Sequence, residues 1–178
     1  IAGSLPFTLY VASLRGNYKA LLRDHQVRGL LGFLLASWPV VGAWLHLHSQ
    51  LGWIDAIRAA AFNITSVVTT TGYALGDYTT WGSFAVLLFF YLTFVGGCSG
   101  STAGGLKIFR FQVAFVLLRA NLLRLVHPRA VIKQQYNGHN LDEDIVSAMI
   151  TFSFFFAVTI SLIAIGLTLT GLDWITAL

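Results

Sequence analysis

Three long stretches of the chain are almost free of charge, and short polar or glycine-rich segments separate them. Gly29 to His48 contains no Lys, Arg, Asp or Glu. Its roughly 20 residues, at about 1.5 Å each, match the ~30 Å hydrocarbon core of a bilayer. It predicts a transmembrane helix, bent at Pro39. A second apolar run extends from Trp81 to Val95, is interrupted by GGCSGSTAGG at Gly96 to Gly105, and resumes from Leu106 to about Leu123. The third, Ile145 to Leu169, is long enough to span with some tilt. Ile1 to Leu14 is too short to span alone; it reads as the tail of an earlier helix, and with no initiating Met the chain reads as a fragment.

Composition identifies the solvent. Of 178 residues, 56% are hydrophobic and 10% charged, against roughly 25% charged in a soluble domain. The chain reads as an all-α integral membrane protein. Charge orients it: Arg15, Lys19, Arg23 and Arg28 form one basic block, six more Lys and Arg lie between Lys107 and Lys133, and only Arg58 lies elsewhere. Basic blocks mark the cytoplasmic side, so Ser49 to Thr80 falls outside. The same residues suit contact with anionic lipid, or docking of a cytoplasmic partner, rather than nucleic acid. LDED at Leu141 to Asp144 reads as a cap for the third span. Cys98 has no partner for an internal disulfide and no metal-ligand spacing around it. Without paired carboxylates, a nucleophile triad or a metal cluster, an enzyme reading has no residues to rest on, and no cofactor is expected.

The outer segment carries the first candidate chemistry. LGWIDAIRAAAFNITSVV, Leu51 to Val68, predicts a helix of about 10 to 13 residues with Asp55 at its N-cap or first turn. That is too short to cross, which suits a re-entrant pore loop. Its C-terminal end would carry roughly half a negative charge from the macrodipole and favour a cation. Thr70, Thr71, Gly72 and Tyr73 follow, and in extended form their carbonyls can replace a cation's hydration shell. An ordinary turn is the plainer reading of TTTGY. No Asp or Glu lies between Asp55 and Asp77, which suits backbone rather than carboxylate coordination. Asn63-Ile64-Thr65 matches a glycosylation sequon but sits in the expected pore helix. GLDWITAL, Gly171 to Leu178, parallels GWIDAIRAA, Gly52 to Ala60, and predicts a second pore helix after the third span.

The glycine-rich insert carries the second. GSTAGGLK nearly matches a phosphate-binding loop, but Lys107 comes one residue late and no Ser or Thr follows it. Five glycines in ten residues cannot sustain a helix, so the segment predicts a broken span, read as a thin strand near the cation path. A passive break and a movable constriction both fit.

SVVTTTGYALGDY, VGGCSGSTAGGLKIFR at Val95 to Arg110, and LPFTLY at Leu5 to Tyr10 together resemble the TrkH/KtrB family of bacterial potassium-uptake proteins, the TrkH branch most closely. The resemblance implies a potassium-channel-like fold of four span, re-entrant pore loop, span repeats, of which this chain is a fragment. Residues 1–28 would end the preceding repeat's inner helix and add a cytoplasmic linker. Residues 29–123 would be a complete repeat, 124–144 a second linker, and 145–178 a span with the start of the next pore helix. Thr70, Thr71, Gly72 and Tyr73 match the third filter segment, with K+ expected at Thr70, Thr71 and Gly72. Gly96, Gly97, Cys98, Ser99, Gly100, Ser101, Thr102, Ala103, Gly104 and Gly105 match a gate loop, with Lys107 and Arg110 as adjacent basic residues on which a partner could act. The resemblance further implies a multi-pass protein of the bacterial inner membrane, a homodimer, and a cytoplasmic nucleotide-binding regulatory subunit like TrkA. A sodium or mixed K+/Na+ specificity stays open, because selectivity depends on all four filter segments.

The charge asymmetry predicts opposite sides for Asp77 and Arg129. Single cysteines at these positions in the full-length protein, in a Cys98→Ala background, should react with an impermeant thiol reagent from outside and inside respectively. Labelling of both from one side overturns the orientation.

Overall fold

The computed structural model describes residues 1–127 and 134–172. Among these, the helices are α1 (Phe7–Leu14), α2 (Ala20–Arg23), α3 (His25–His48), α4 (Trp53–Val68), α5 (Ser83–Phe94), α6 (Ile108–Val126) and α7 (Glu143–Leu169). Short 3-10 turns occupy Ala2–Ser4 and Tyr78–Trp81, and strands β1 (Gln135–Tyr136) and β2 (His139–Asn140) form a small antiparallel hairpin. The chain divides into two compact units, Ile1–Ala114 and Phe115–Leu178, with α6 beginning in the first.

In the first unit, α3 starts four residues before the apolar run. Asp24 caps it, accepting hydrogen bonds from the backbone N–H groups of Gln26 and Val27 at 2.9 and 3.1 Å, which satisfies donors that a helix start leaves orphaned. The helix continues through Pro39. It packs on α4, and Val27, Leu30, Leu34 and Val41 join Ala60, Ile64 and Val68 in one buried cluster with Ala85, Phe89 and Leu92 of α5. The closest approach is at Gly42, where a Cβ would lie 2.8 Å from Ile57 Cγ1 and 2.9 Å from Ile57 Cα. Small residues at such a contact, here Gly42 with Ala56, Ala59 and Ala60, let helix backbones approach where dispersion rather than water drives packing. Tyr78 stacks on Phe89 with ring centroids 4.5 Å apart, and Trp81 meets the same ring edge-on at 5.9 Å, so the chain between α4 and α5 is held on the cluster.

Several boundaries differ from expectation. The helix α4 has 16 residues rather than about 10 to 13, because it begins directly after Gly52; Asp55 lies in its first turn and Gly52 is the N-cap, so Asp55 does not cap it. The expected helical tail at Ile1 to Leu14 is helical only from Phe7, since Pro6 holds an extended conformation as N-cap. The broken span separates into α5, ending at Phe94, and α6, starting at Ile108.

In the second unit, Asp142 is the N-cap of α7 but makes no side-chain capping bond, while Glu143 and Asp144 occupy the first turn. The expected cap is therefore electrostatic, two carboxylates at the positive end of the helix dipole, rather than a hydrogen-bonded one. Asn137 and Gly138 both take positive φ, 52° and 82°, and turn the hairpin. That Asn-Gly pair was its sequence signal, unread within the expected linker 124–144. The helices α3 and α7 are long and apolar enough to cross a membrane, with mean hydropathy 1.6 and 2.3. Phe154, Phe155 and Ile163 of α7 are exposed, as on a helix that is apolar all round. The parallel drawn from Asp55 to Asp173 falls on residues 173–178, outside the described residues, as do Arg129 and Lys133.

The Gly42 contact gives a test of the α3–α4 interface. Gly42→Ala should lower the thermal unfolding midpoint of the full-length protein, because backbone at Ile57 cannot give way as a side chain can; overpacking costs about 1–3 kcal/mol. Gly32→Ala, in the same helix with open space around its Cβ position, should leave the midpoint unchanged or raise it. Equal effects at the two positions overturn the close packing.

Candidate functional site

The site begins where α4 stops. Thr70 N donates to Val67 O at 3.0 Å and Thr71 N to Ser66 O at 2.8 Å, and Thr70 has φ of 53°. This is the double bond pattern of a Schellman ending, with Thr70 at the left-handed position that Gly normally fills. A β-branched residue there is strained by about 1–2 kcal/mol. Two residues on, Gly72 has φ of 80°. The expected extended run at Thr70 to Tyr73 is therefore not extended at Thr70 or Gly72; the chain reverses through two left-handed residues.

The threonine triplet divides its hydroxyls. Thr69 Oγ1 donates to Thr65 O at 2.6 Å. With that proton committed, its 2.7 Å contact with Thr71 Oγ1 has Thr71 as donor. Thr69 and Thr71 thus tie back to the helix end, while Thr70 Oγ1 accepts from Gly104 N at 3.0 Å. The backbone after Gly72 is held by Asn63, which is 1% exposed: its Nδ2 donates to Leu75 O at 3.0 Å and its Oδ1 accepts from Leu75 N at 2.8 Å. Asn63 acts as a surrogate strand partner and shows no side chain free for a sugar. The sequence reading missed this role, although a lone amide on the Ala56, Ala60, Ile64 face of an apolar helix was its signal. Thr70, Thr71, Gly72 and Tyr73 are all exposed. Beyond them Asp77 accepts from Thr79 Oγ1 at 2.6 Å and Thr79 N at 2.9 Å, and these bonds hold its carboxyl below the usual carboxylate range.

The glycine-rich segment is a closed loop rather than a strand. Val95 and Leu106 form an isolated parallel bridge, and Gly96 N donates to Leu106 O, Leu106 N to Phe94 O and Ile108 N to Gly97 O. The ends therefore meet, as in an Ω-loop. Its first limb is fixed. Gly96, Gly97 and Cys98 are buried, and a Cβ at Gly96 or Gly97 would overlap backbone of Gly104, Leu106 or Ser4. The tip is open: Ser99, Gly100 and Thr102 are exposed, and a Cβ at Gly100 meets nothing within 4 Å. Hydrogen bonds hold the loop from outside, from Cys98 N to Ser4 O at 2.8 Å, Thr102 Oγ1 to Gly3 O at 2.9 Å, Phe7 N to Gly100 O at 3.1 Å and Ser99 N to Gln26 Oε1 at 2.7 Å. Lys107 Nζ donates to Ser101 O at 3.1 Å and Ala103 O at 2.6 Å, so it braces the loop from below. Arg110 lies in the first turn of α6.

The structure thus brings Thr70 and Thr71 against the loop at Thr102 to Gly104. A cavity of about 210 Å³ lies between them, lined by Ser4, Thr69, Thr70, Thr71, Thr102 and Ala103 among others. Its wall is mainly polar and five of its lining residues carry hydroxyls, an environment for water or a small polar species and not for an apolar ligand. The signal missed in the sequence was the opening Ile1 to Ser4, which supplies one wall.

A short helix ending in a polar recess, flanked by helices long and apolar enough to cross a membrane, has the character of a membrane protein. The family model for TrkH, cation transport protein, matches residues 21–176, and the chain belongs to that family. It is 51% identical over 178 residues to the Trk system potassium uptake protein TrkI of Halomonas elongata, covering all of this chain and 36% of the relative. It is 31% identical over 171 residues to the Trk system potassium uptake protein TrkH of Escherichia coli K12, covering 94% of this chain and 35% of the relative. The crystal structure of the potassium transporter TrkH from Vibrio parahaemolyticus superposes with a TM-score of 0.89 at 29% identity, covering 99% of this chain and 38% of that one. The chain spans little more than a third of these proteins.

Asn63→Ala should remove both bonds to Leu75. At about 0.5–1.5 kcal/mol each, the loss is about 1–3 kcal/mol, read as faster hydrogen exchange across Gly72 to Asp77 in the full-length protein. Wild-type protection there in the variant overturns the clamp.

Proposed function

We propose that this chain is part of the pore of a potassium-uptake protein and supplies one of four filter segments. The observation that carries the reading is the exposed backbone from Thr70 to Tyr73, delivered by the C-terminal end of α4 and fixed from behind by Asn63. Family membership and the names of the relatives support potassium as the ion. In this reading Thr70, Thr71, Gly72 and Tyr73 line the ion path, with K+ at Thr70, Thr71 and Gly72. The carbonyls there replace water without a full charge that would trap the ion. The loop Gly96 to Gly105 lies across the route just inside the filter and acts as the gate, with Lys107 and Arg110 at its cytoplasmic foot.

The rest follows from the repeat arrangement. Residues 1–28 close the preceding repeat and form a linker, 29–123 make one complete repeat of span, pore loop and broken span, 124–144 form a second linker, and 145–178 begin the next repeat. Apolar surface on α7 faces lipid or neighbouring repeats of the whole protein. The protein is multi-pass in the bacterial inner membrane, works as a homodimer, and answers to a nucleotide-binding regulatory subunit of TrkA type on the cytoplasmic side.

The test is Gly72→Ser in the full-length protein. At φ of 80° a side chain strains the backbone although space for it is open, so one quadrant's carbonyls turn and the preference for potassium over sodium should fall several-fold. Folded protein with unchanged preference overturns the filter assignment; a wild-type protein that carries sodium as well as potassium favours the mixed-cation alternative.

A further inference from the structure

We infer that the Thr70 hydroxyl is a latch that holds the glycine-rich loop closed against the filter and so links the loop's position to the filter's. The inference rests on the pore reading above and adds to it a regulatory residue. Two observations point to it. First, Thr70 occupies a backbone position, φ of 53° at the end of α4, where Gly is the natural residue and a β-branched one is strained. Its neighbours Thr69 and Thr71 use their hydroxyls to secure the helix end, and the backbone bonds of the Schellman ending need no side chain at Thr70. Local structure therefore gives no reason for a threonine at this position. Second, the hydroxyl is used: it accepts the Gly104 N–H at 3.0 Å across 34 residues of chain, and Gly104 is exposed, with the Thr70 methyl the nearest group to its Cβ position at 3.7 Å.

The loop's other ties differ in kind. Lys107 holds Ser101 and Ala103 from within the same loop-helix unit and can travel with it. Cys98 is buried on the fixed limb and stays bound to Ser4. For the limb from Ser99 to Gly104 to swing away from the cavity, the bonds at Gly104, Thr102, Gly100 and Ser99 must break. The Gly104 bond is the one that ends on the filter segment. When it breaks, Thr70 is relieved of its only tie to the loop among the described bonds, and its strained conformation is free to relax. A change in ion occupancy at Thr70 and a change in the loop thereby act on one another through a single hydrogen bond, as any coupling between two sites must act in both directions.

The experiment compares wild type, Thr70→Gly and Thr70→Ser in the full-length membrane protein, with hydrogen exchange read across Ser99 to Leu106 and potassium flux read with and without the cytoplasmic regulatory subunit. Thr70→Gly relieves the backbone strain and removes the acceptor, so it should fold at least as stably as wild type yet exchange about fivefold faster at Gly104, the factor of one ordinary hydrogen bond. Flux without the regulator should rise several-fold and the ratio of regulated to unregulated flux should fall towards one. Thr70→Ser keeps the acceptor and should restore wild-type exchange at Gly104. A purely structural threonine gives the opposite result for Thr70→Gly, a stabler turn with unchanged or slower exchange, and that outcome overturns the latch. Faster exchange with an unchanged flux ratio shows a bond that does not regulate and also overturns it. Should the wild-type protein carry no potassium, the pore reading fails, while the exchange comparison still decides whether Thr70 holds the loop.

Discussion

The arrangement depends on one constraint: a helix that stops leaves its last backbone carbonyls without intrahelical partners, and those that are buried must find others. The chain ends α4 at Val68 and must supply every partner itself. Thr69, Thr70 and Thr71 do so through a left-handed turn, with Ser66, Val67 and Thr65 carbonyls all engaged. Asn63 then provides for Leu75 the two bonds that a neighbouring strand would give. The cost of an unpaired buried polar group, about 1–3 kcal/mol, makes the side chains of Thr69, Thr71 and Asn63 requirements of the turn, whereas Thr70 serves it through its backbone N–H alone. Thr70 to Tyr73 are left exposed, while the carbonyls of Thr65, Ser66 and Val67 and both backbone groups of Leu75 behind them are paired.

The glycine-rich loop meets the same constraint differently. Its neck is closed by backbone bonds between Phe94 to Gly97 and Leu106 to Ile108, and its amides reach out to Ser4, Gly3, Gln26 and Thr70. Glycine is needed at Gly96 and Gly97 for close approach of backbone, and at Gly100 and Gly105 for positive φ. The glycines therefore have two separate physical reasons, which composition merges into one low-complexity stretch. Both segments lie within the residues matched by the TrkH, cation transport protein, family model, in a chain that spans little more than a third of its relatives' length. The exposed apolar surface of α3, α5 and α7 is of the kind a membrane protein presents to lipid or to neighbouring helices.

Packing ties the two segments to a frame. The α3–α4 contact at Gly42 and Ile57 and the Phe89 cluster with Tyr78 and Trp81 fix where α4 ends and where α5 begins. The helix α6 is joined to α3 by Gln112, whose Nε2 donates to His25 O at 2.9 Å. Thr70 to Tyr73 and the glycine-rich loop are thereby held by one body, and small shifts of the frame reach both.

By itself the sequence determined the solvent, the apolar runs now seen in α3, α5, α6 and α7, the short helix α4 and the candidate segments Thr70 to Tyr73 and Gly96 to Gly105. These are local properties of composition, hydropathy period and glycine content, and they survive any arrangement of the neighbours. It left the length of α4 and the extended form of Thr70 to Tyr73 to be corrected, and it left open whether Asp55 caps α4 or stands in its first turn and whether the cap of α7 is hydrogen-bonded or electrostatic, because competing partners decide each of them. Only the tertiary structure decided that Asn63 holds Leu75, that Gly104 donates to Thr70 and that Thr102 reaches Gly3. Those bonds join residues 12, 34 and 99 positions apart. Asn and Thr have the same chemistry wherever they stand, so which group a hydroxyl or amide meets across such a distance is fixed by how α3, α4 and α5 pack and by nothing written next to it in the chain.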